Sequence, residues 1–396
     1  MKYTFSNKLA NMKPSAIREI FKSLSDPSII SFAAGNPSPL SFPTKELSEI
    51  AADIFENESA AALQYSVTEG YSPLISDVNR RMKEKFGIDG EGNQTIITSG
   101  GQQAIELACK ALCNEGDAVI CENPTFIGAL NAFRSNGAKT VGVTLGDYGI
   151  DTTELEETIK RTENAKLLYV IPTFQNPAGS TSTLDNRKRL YEIALKNDLI
   201  IFEDNPYGEL RFEGEEIPTI KSFDTERIVI YCSSFSKILS AGMRIGYVRG
   251  PSEIIQKMVI AKQVEDVHTN IFFQMMCHRY LNEYDLDAHI EEIRALYRKK
   301  CTLMLECLDK YMPREIKYTR PSGGLFIWCT LPEKINSSEF VNLALKNKVA
   351  VVPGATFNAD ESAPSQSFRL NYSTPSDDDI VRGVKILGDT AHELLK

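Results

Sequence analysis

The sequence predicts an α/β protein with a large domain built on a mostly parallel sheet flanked by helices, and a smaller α/β domain at the C-terminus. Short β-branched or aliphatic runs alternate with helix-length segments from about residue 44 to residue 278, a pattern typical of parallel sheets covered by helices. The length of 396 residues also exceeds what one hydrophobic core usually holds. We therefore expect two packed units.

The individual elements follow in chain order. An amphipathic helix is predicted at residues 15–24, and an irregular Gly- and Pro-rich loop at 33–43. Strands of the large domain are predicted at 95–98, 118–121, 167–171, 199–202 and 228–232. A long polar helix at 286–311 leads to further strands at 324–330, 349–352 and 368–372. We expect an N-terminal arm and helix (1–43) that packs with the small domain, a large domain (44–285) and a small domain (286–396).

Composition argues against several classes of function. A net charge of -9 and a pI near 5.3 disfavour a nucleic-acid partner, because such binding depends on clustered Lys and Arg. No stretch is long and apolar enough for a membrane span, and residues 1–10 lack the apolar segment of a secretory leader, so a cytoplasmic location is expected. Eight cysteines without a CxxC pair and four dispersed histidines predict buried thiols and no metal site.

Chemically loaded residues follow the predicted strands, where ligands of open α/β sheets collect. These segments are Ser99-Gly100-Gly101-Gln102, residues 172–179, Glu203-Asp204-Asn205-Pro206-Tyr207, Ser233-Ser234-Phe235-Ser236-Lys237, and Arg369 inside an apolar strand. In the first segment, the glycines allow close backbone approach, and the start of a helix favours an anion. A plain strand-to-helix turn is the commoner meaning of that segment taken alone.

The segment ending at Lys237 carries the sharpest signal. Two hydroxyls, of Ser234 and Ser236, and the guanidinium of Arg244 can clamp a phosphate. Lys237 between them can form an imine if burial and positive charge keep its amine partly neutral. In isolation, a solvated lysine and a surface arginine are commoner, but the hydroxyls and the other strand-end residues favour a site.

Four further positions each allow two interpretations. Asp204 is either a turn residue ahead of a proline or a carboxylate that pairs with a heteroaromatic nitrogen. Asn176 begins an Asn-Pro turn or donates to a ring oxygen, and Phe126 packs in the core or stacks on a flat ligand. Arg369 requires either an internal acidic partner or a substrate carboxylate.

Taken together, the ordered motifs resemble the class I and II aminotransferases of the fold type I pyridoxal-phosphate enzymes. The resemblance runs from Phe32-Ala33-Ala34-Gly35-Asn36-Pro37 to Phe368-Arg369-Leu370 and is strongest at Ser234-Phe235-Ser236-Lys237 with Arg244 and Gly246. Leu63-Gln64-Tyr65-Ser66 with Glu69-Gly70, and the segment from Glu203 to Tyr207, resemble the branch of kynurenine/2-aminoadipate aminotransferases and MocR-type regulators. This family implies a seven-stranded sheet in the large domain.

The resemblance also implies pyridoxal 5′-phosphate as the cofactor. Lys237 would hold it as a Schiff base and move protons at the substrate α-carbon. Asp204 would pair with the pyridine nitrogen, and Asn176 and Tyr207 would hydrogen-bond the phenolic oxygen of the ring. Phe126, where many relatives carry Tyr, would stack on the ring.

The remaining implied contacts concern the phosphate, the substrate and a second subunit. The phosphate would be held by Gly101, Gln102, Ser234, Ser236 and Arg244. Arg369, helped by Asn176 and the Gly35 backbone, would bind the substrate α-carboxylate. Tyr65 would reach the phosphate of a neighbouring subunit, which implies a homodimer with shared active sites.

The implied activity is amino-group transfer from an L-amino acid to a 2-oxo acid, with 2-oxoglutarate expected, by a ping-pong mechanism through pyridoxamine phosphate. Acidic, aromatic and branched-chain donors stay open; Arg18 would suit an acidic side chain such as that of 2-aminoadipate, or it faces solvent. A β-lyase or decarboxylase on the same scaffold is an alternative. A ligand-sensing regulator is a further alternative. The net negative charge of the chain disfavours DNA binding, and the motifs begin near residue 30, where such regulators carry a DNA-binding segment ahead of them.

Overall fold

The computed structural model describes residues 3–10, 12 and 26–396. The helix predicted at 15–24, and Arg18 with it, lie outside the described residues. The described strands are β1 Ile30–Ser31, β2 Asn93–Thr98, β3 Ala118–Asn123, β4 Lys139–Gly146, β5 Gly149–Ile150, β6 Ala165–Val170, β7 Ile200–Asp204, β8 Val229–Ser234, β9 Gly246–Pro251, β10 Lys317–Tyr318, β11 Phe326–Thr330, β12 Val349–Ala350, β13 Val352–Pro353 and β14 Ser367–Asn371.

Helices connect these strands along most of the chain. The described helices are α1 Asn7–Ala10, α2 Thr44–Asn57, α3 Ser59–Ala62, α4 Ser72–Phe86, α5 Gly101–Leu112, α6 Ile127–Ser135, α7 Thr152–Arg161, α8 Leu184–Lys196, α9 Ser252–Glu265, α10 Ile271–Glu283, α11 Leu286–Tyr311, α12 Ser337–Lys346 and α13 Asp377–Leu394. None of them is long and apolar enough to cross a membrane.

The central sheet has the strand order β2-β9-β8-β7-β6-β3-β4-β5. Neighbours from β8 to β4 pair in parallel, whereas β9 is antiparallel to both β2 and β8. Seven of these strands form the expected sheet, and β5 adds a two-residue antiparallel edge. Strands β3, β7 and β8 are almost wholly buried, as expected for parallel strands covered on both faces. The predicted α/β fold is confirmed.

A second, antiparallel sheet with the order β10-β11-β14-β13 is formed by the C-terminal part of the chain. The segment that follows residue 26 lies against it: β1 pairs in parallel with β12, and the Asn371 amide donates to the Phe32 carbonyl at 2.8 Å. This pairing brings Gly35 beside the β14 strand that carries Arg369. The division of the chain at residues 43 and 285 stays a prediction.

Helix α11 has the bounds expected from its polar and apolar spacing. The Asp285 side chain accepts a hydrogen bond from the Ala288 amide at 2.9 Å, which caps the first turn. Buried residues recur at intervals of three or four, at Leu286, Ile290, Ile293 and Tyr297, so one face of the helix packs into the core.

The cysteine prediction is also confirmed. All eight cysteines are free thiols, and all except the half-buried Cys113 are buried. Burial raises the pKa of the Cys121 thiol to about 12 and raises that of Cys232 well above its usual value, so these groups are unreactive near neutral pH.

Candidate active site

A cavity of about 460 Å³ opens at the carboxyl ends of the parallel strands. It gathers every predicted site residue that lies in the described part of the chain, except Tyr65. Its lining consists of Gly35, Asn36, Gly101, Gln102, Ile105, Phe126, Ile171, Asn176, Asp204, Pro206, Tyr207, Ser234, Ser236, Lys237, Ala241, Arg244 and Arg369. Asp204 and Ser234 end neighbouring parallel strands and therefore lie side by side. Gly35 and Arg369 reach the same cavity from the loop after β1 and from β14 of the second sheet.

Lys237 follows β8 and extends into the cavity. Its Nζ donates to the Gly35 carbonyl at 2.9 Å and lies 6.0 Å from the centroid of the Tyr207 ring. Burial, reinforced by the positive charges of Arg369 and Arg244, lowers the pKa of the amine to about 8. Near neutral pH, some of the protein molecules therefore carry Lys237 with a neutral amine, which can act as a nucleophile.

Asp204 ends β7 and is buried. Its Oδ2 accepts a hydrogen bond from the Tyr169 hydroxyl at 2.6 Å, whereas Oδ1 has no hydrogen-bond donor among the described residues. Burial raises the pKa of the carboxyl to about 6, and the bond from Tyr169 opposes that shift. Asp204 thus presents one free oxygen to a cationic or N–H group in the cavity.

Asn176 connects two neighbouring groups at the cavity wall. Its Nδ2 donates to the Tyr207 hydroxyl at 3.5 Å, and its Oδ1 accepts from Arg369 Nη1 at 2.7 Å. Burial raises the pKa of the Tyr207 phenol above its ordinary value, so this hydroxyl stays protonated and can donate to an anionic oxygen.

Arg369 is fully buried on β14 without an acidic partner in the described part of the chain. Its Nη2 donates to the Ala33 carbonyl at 2.8 Å, and its guanidinium carbon lies 4.1 Å and 5.0 Å from the ring centroids of Phe326 and Phe357. Its Nε has no hydrogen-bond partner among the described residues. Between the two interpretations of Arg369, the internal salt bridge finds no support, and the guanidinium retains donors for an incoming carboxylate.

The start of α5, together with Ser234, Ser236 and Arg244, forms a group of anion-binding donors that we call the anion cradle. Helix α5 begins at Gly101 without a side-chain cap, and Gly100 before it has a φ of 80°. Close approach also requires glycine at 246, because a Cβ there would lie 2.9 Å from Gly100 Cα. The first amides of the helix are therefore available to an anion.

Hydroxyls and a guanidinium complete the cradle. Ser234 Oγ lies 2.7 Å from Ser236 Oγ and accepts from the Ser236 amide at 3.0 Å. Arg244 donates through Nη2 to the Ser99 carbonyl at 3.2 Å. Its φ of 57° is left-handed, a conformation that costs a non-glycine residue roughly 1–3 kcal/mol. The fold therefore holds the guanidinium beside the turn at an energetic cost.

Phe126 and Tyr65 lie in different surroundings. Phe126 precedes α6 and is half-buried at the cavity wall, next to Gln102, whose Nε2 donates to the Gly128 carbonyl at 2.8 Å. Tyr65 is 82% exposed outside the cavity, and its ring meets His268 edge-on at 5.9 Å.

Sequence reasoning did not identify two buried polar groups behind the cavity. Tyr169 lies inside β6 between the rings of Phe133 and Phe202, where it resembles an ordinary core aromatic. Glu122 near the end of β3 accepts hydrogen bonds from Gln175 Nε2 at 3.0 Å and from the Ile171 amide at 3.2 Å. Its position at a strand end was a usable signal, since the same criterion identified Asp204.

The donor set fits a phosphorylated heteroaromatic aldehyde. The cradle supplies amides, hydroxyls and a guanidinium for a phosphate, Asp204 offers a free carboxylate oxygen, and Lys237 offers a partly neutral amine.

Known proteins are similar to this chain over nearly its whole length. Residues 27–387 match the sequence profile of the family described as aminotransferase class I and II, and the chain belongs to that family. It is 40% identical to aromatic-amino-acid aminotransferase 1 of Thermococcus litoralis, over 99% of this chain and 95% of the relative.

Two solved structures are similar over nearly their whole length. The kynurenine aminotransferase of Pyrococcus horikoshii, in complex with pyridoxamine phosphate, is 41% identical with a TM-score of 0.95, covering 99% of this chain and 98% of its own. The α-aminoadipate aminotransferase of Thermus thermophilus, complexed with a phosphopyridoxyl-leucine adduct, is 39% identical with a TM-score of 0.91 at the same coverage. The protein is therefore an aminotransferase that depends on pyridoxal 5′-phosphate.

Proposed function

We propose that the protein transfers the amino group of an L-amino acid to 2-oxoglutarate in a ping-pong sequence of two half-reactions. The observation that carries this proposal is the meeting of Lys237, Asp204 and the anion cradle in one cavity. When bound, pyridoxal 5′-phosphate supplies an electron-withdrawing ring that stabilises charge at the substrate α-carbon and a carrier for the amino group.

Residues of the cavity would hold the cofactor at both ends. Gly101, Gln102, Ser234, Ser236 and Arg244 would bind its phosphate through amides, hydroxyls and a guanidinium. At the opposite end, the free Oδ1 of Asp204 would keep the ring nitrogen protonated. The proposal thus assigns the two ends of the cavity to the two charged ends of one ligand.

Other side chains would orient the ring between these ends. Asn176 and Tyr207 would donate to its phenolic oxygen, and Phe126 would stack on its face. Lys237, with its pKa near 8, would hold the cofactor covalently and take the proton from the substrate α-carbon at Nζ.

Substrate recognition would depend on Arg369. Its unpartnered Nε and its position between two aromatic rings leave a fixed guanidinium with free donor capacity. A planar carboxylate matches this group, and the Asn176 amide and the backbone near Gly35 lie beside it. We infer that the α-carboxylate of both substrates binds here.

The amino donor belongs to the acidic, aromatic or branched-chain classes, which the names and bound ligands of the similar proteins represent. Turnover of 2-aminoadipate, glutamate, kynurenine, leucine and phenylalanine with 2-oxoglutarate would rank them. If Arg18 faces the substrate side chain, Arg18→Ala lowers turnover of the two acidic donors and leaves leucine unchanged. Equal turnover of all donors by the variant and the parent would remove Arg18 from the site.

We also propose a homodimer in which Tyr65 reaches the phosphate of the neighbouring subunit. Large apolar side chains are exposed near Tyr65 in the sequence, at Phe55, Leu63 and Val67, and at Val264 near the end of α9, which is 86% exposed. Exposed apolar side chains that lie together mark protein interfaces. The cytoplasmic location expected from the sequence stays a prediction.

Half-transamination tests the reaction itself. Mixing the cofactor-loaded protein with an active donor should convert pyridoxal phosphate to pyridoxamine phosphate in step with 2-oxo acid release. Lys237→Ala should abolish this conversion, because no other described lysine lines the cavity. Pyruvate with free ammonia, or CO2, as the main product would instead indicate a lyase or a decarboxylase.

A further inference from the structure

An ion pair between a buried lysine and a partly exposed aspartate lies behind the turn that begins α5. Lys262 near the end of α9 donates to both Asp266 oxygens, at 2.7 Å and 2.8 Å, and its side chain is fully buried. The same Nζ donates to Gln103 Oε1 at 2.9 Å. The pair is therefore linked directly to the first turn of α5.

Gln103 and Ser99 extend this link to the turn itself. Gln103 Nε2 donates to Asp266 Oδ2 at 2.8 Å, and Gln103 Oε1 accepts from the Ser99 amide at 2.8 Å. The Ser99 hydroxyl donates to Asp266 Oδ2 at 3.0 Å. Both the backbone and the side chain of Ser99 are thus fixed by groups that the Lys262–Asp266 pair orients.

The backbone after α9 is also held in an unfavourable conformation. Val267, directly after Asp266, has a φ of 65°, which a β-branched residue rarely adopts. The Val267 amide donates to the Lys262 carbonyl at 3.2 Å, and Thr269 Oγ1 lies 3.3 Å from Ser99 Oγ. Several contacts therefore converge on the placement of Asp266 against Ser99.

We propose that the Lys262–Asp266 pair is a positioning device for the phosphate end of the cofactor. It touches neither the cavity nor any of the residues proposed as phosphate ligands, and it acts through Gln103 and Ser99. By fixing Ser99, it sets the direction of the next amides, at Gly101 and Gln102, which line the cavity. This inference rests on the proposed assignment of the phosphate to that turn.

The pair suits this role because its hydrogen bonds fix its geometry. A neutral Gln103 amide can rotate to exchange its oxygen and nitrogen, but the ammonium of Lys262 selects the oxygen and the carboxylate of Asp266 selects the nitrogen. Removing one charge frees the amide to rotate and releases the Ser99 amide. The turn should then bind a phosphate more weakly while the rest of the cavity is unchanged.

The affinities of pyridoxal 5′-phosphate and of pyridoxal, which lacks the phosphate, test the proposal. Lys262→Met and Asp266→Asn should each weaken binding of the phosphorylated cofactor roughly tenfold. Binding of pyridoxal should change by less than about twofold, since its ring and aldehyde contacts are unaffected. If a single unpaired charge prevents folding, the double variant Lys262→Met/Asp266→Asn, which has no unpaired charge at the pair, is measured instead.

The control is a second ion pair that contains a buried lysine. Lys221 and Asp224 lie 2.8 Å apart, with side chains that are 1% and 0% exposed, and neither lines the cavity. Lys221→Met should lower the unfolding midpoint as much as Lys262→Met but leave both affinities unchanged. Equal loss of affinity for the two ligands in Lys262→Met, or no loss for either, would overturn the positioning role.

The variant Arg244→Ala distinguishes failure of the positioning role from failure of the proposed phosphate-binding site. If Arg244→Ala weakens binding of the phosphorylated cofactor and the Lys262 and Asp266 variants do not, only the positioning role fails. If Arg244→Ala also leaves that affinity unchanged, the phosphate assignment itself fails.

Discussion

Lys237 differs from a solvated lysine through its surroundings, which consist of the Gly35 carbonyl and two arginines. Because burial and these cations lower its pKa from 10.5 to about 8, the neutral amine forms in the physiological range. The rate of cofactor capture by the apo-protein should rise roughly tenfold per pH unit below pH 8 and level off above it. Stopped-flow absorbance measures this rate.

Arg369→Gln provides the control for that profile. Removing the positive charge should raise the pKa of Lys237 and move the midpoint of the capture rate to higher pH. A profile that keeps rising to pH 10 in the parent protein would show that Lys237 titrates as an ordinary lysine.

Asp204 is the second residue to which the proposal assigns a role in the reaction. Asp204→Asn should lower the rate of half-transamination by at least about a hundredfold, because the ring nitrogen loses its anionic partner. Tyr169→Phe removes only the hydrogen bond to Asp204 Oδ2, so it should lower the rate of half-transamination less than Asp204→Asn does. Single-turnover kinetics compare the two variants, and equal rates for Asp204→Asn and the parent would exclude the assigned role.

At the scale of elements, Glu122 connects the end of β3 to the loop after β6. It receives hydrogen bonds from Gln175 and Ile171, and burial raises its pKa from 4.5 to about 7. The folded protein therefore binds this proton more tightly than the unfolded chain does. Glu122 contributes stability fully below pH 4.5, and this contribution falls as the pH rises towards 7.

Glu122→Gln should remove that dependence. Relative to the variant, the parent should lose up to about 1.4 kcal/mol of unfolding free energy per pH unit between pH 5 and 7. Urea unfolding at several pH values measures the difference. A difference that is constant with pH would mean that Glu122 is ionised in the folded protein throughout this range.

The elements also show what the sequence could establish. The five predicted strands of the large domain correspond to β2, β3, β6, β7 and β8 within a few residues at each end, because apolar runs bounded by turn residues identify buried strands. Because Asp204 and Lys237 closely follow predicted strands, they could be identified as candidate site residues before the order of the strands in the sheet was known.

Other features depend on pairing, which the local pattern does not contain. Strand β9 has two glycines and a proline, so its sequence suggests a loop, yet it pairs on both sides. Tyr169 reaches Asp204 only through the register of β6 and β7, where Val170 opposes Glu203. Lys262 and Asp266 form an ordinary i,i+4 pair in sequence, and only tertiary packing buries Lys262 and places the pair against Gln103.

At the scale of the whole molecule, exposed apolar side chains such as Val264 favour the proposed homodimer. The parent should have twice the chain mass of 44.2 kDa in light scattering. Val264→Asp would bury a charge in the interface and should shift the mass to that of one chain. The activity of this variant should also fall, because Tyr65 would no longer reach a neighbouring subunit.

Tyr148→Asp is the control, because Tyr148 is 74% exposed on the β4–β5 hairpin at one edge of the central sheet. It should leave both mass and activity unchanged. A parent protein that runs as a single chain while fully active would refute the shared active site.

The central claim is that Lys237 carries the cofactor in the cavity where Asp204 and the anion cradle meet. Borohydride reduction of the cofactor-loaded protein, followed by peptide mapping, tests it most directly. The reduced cofactor should be found on the peptide that contains Lys237, and Lys237→Ala should carry none. Attachment at a different lysine in the parent protein would contradict the claim.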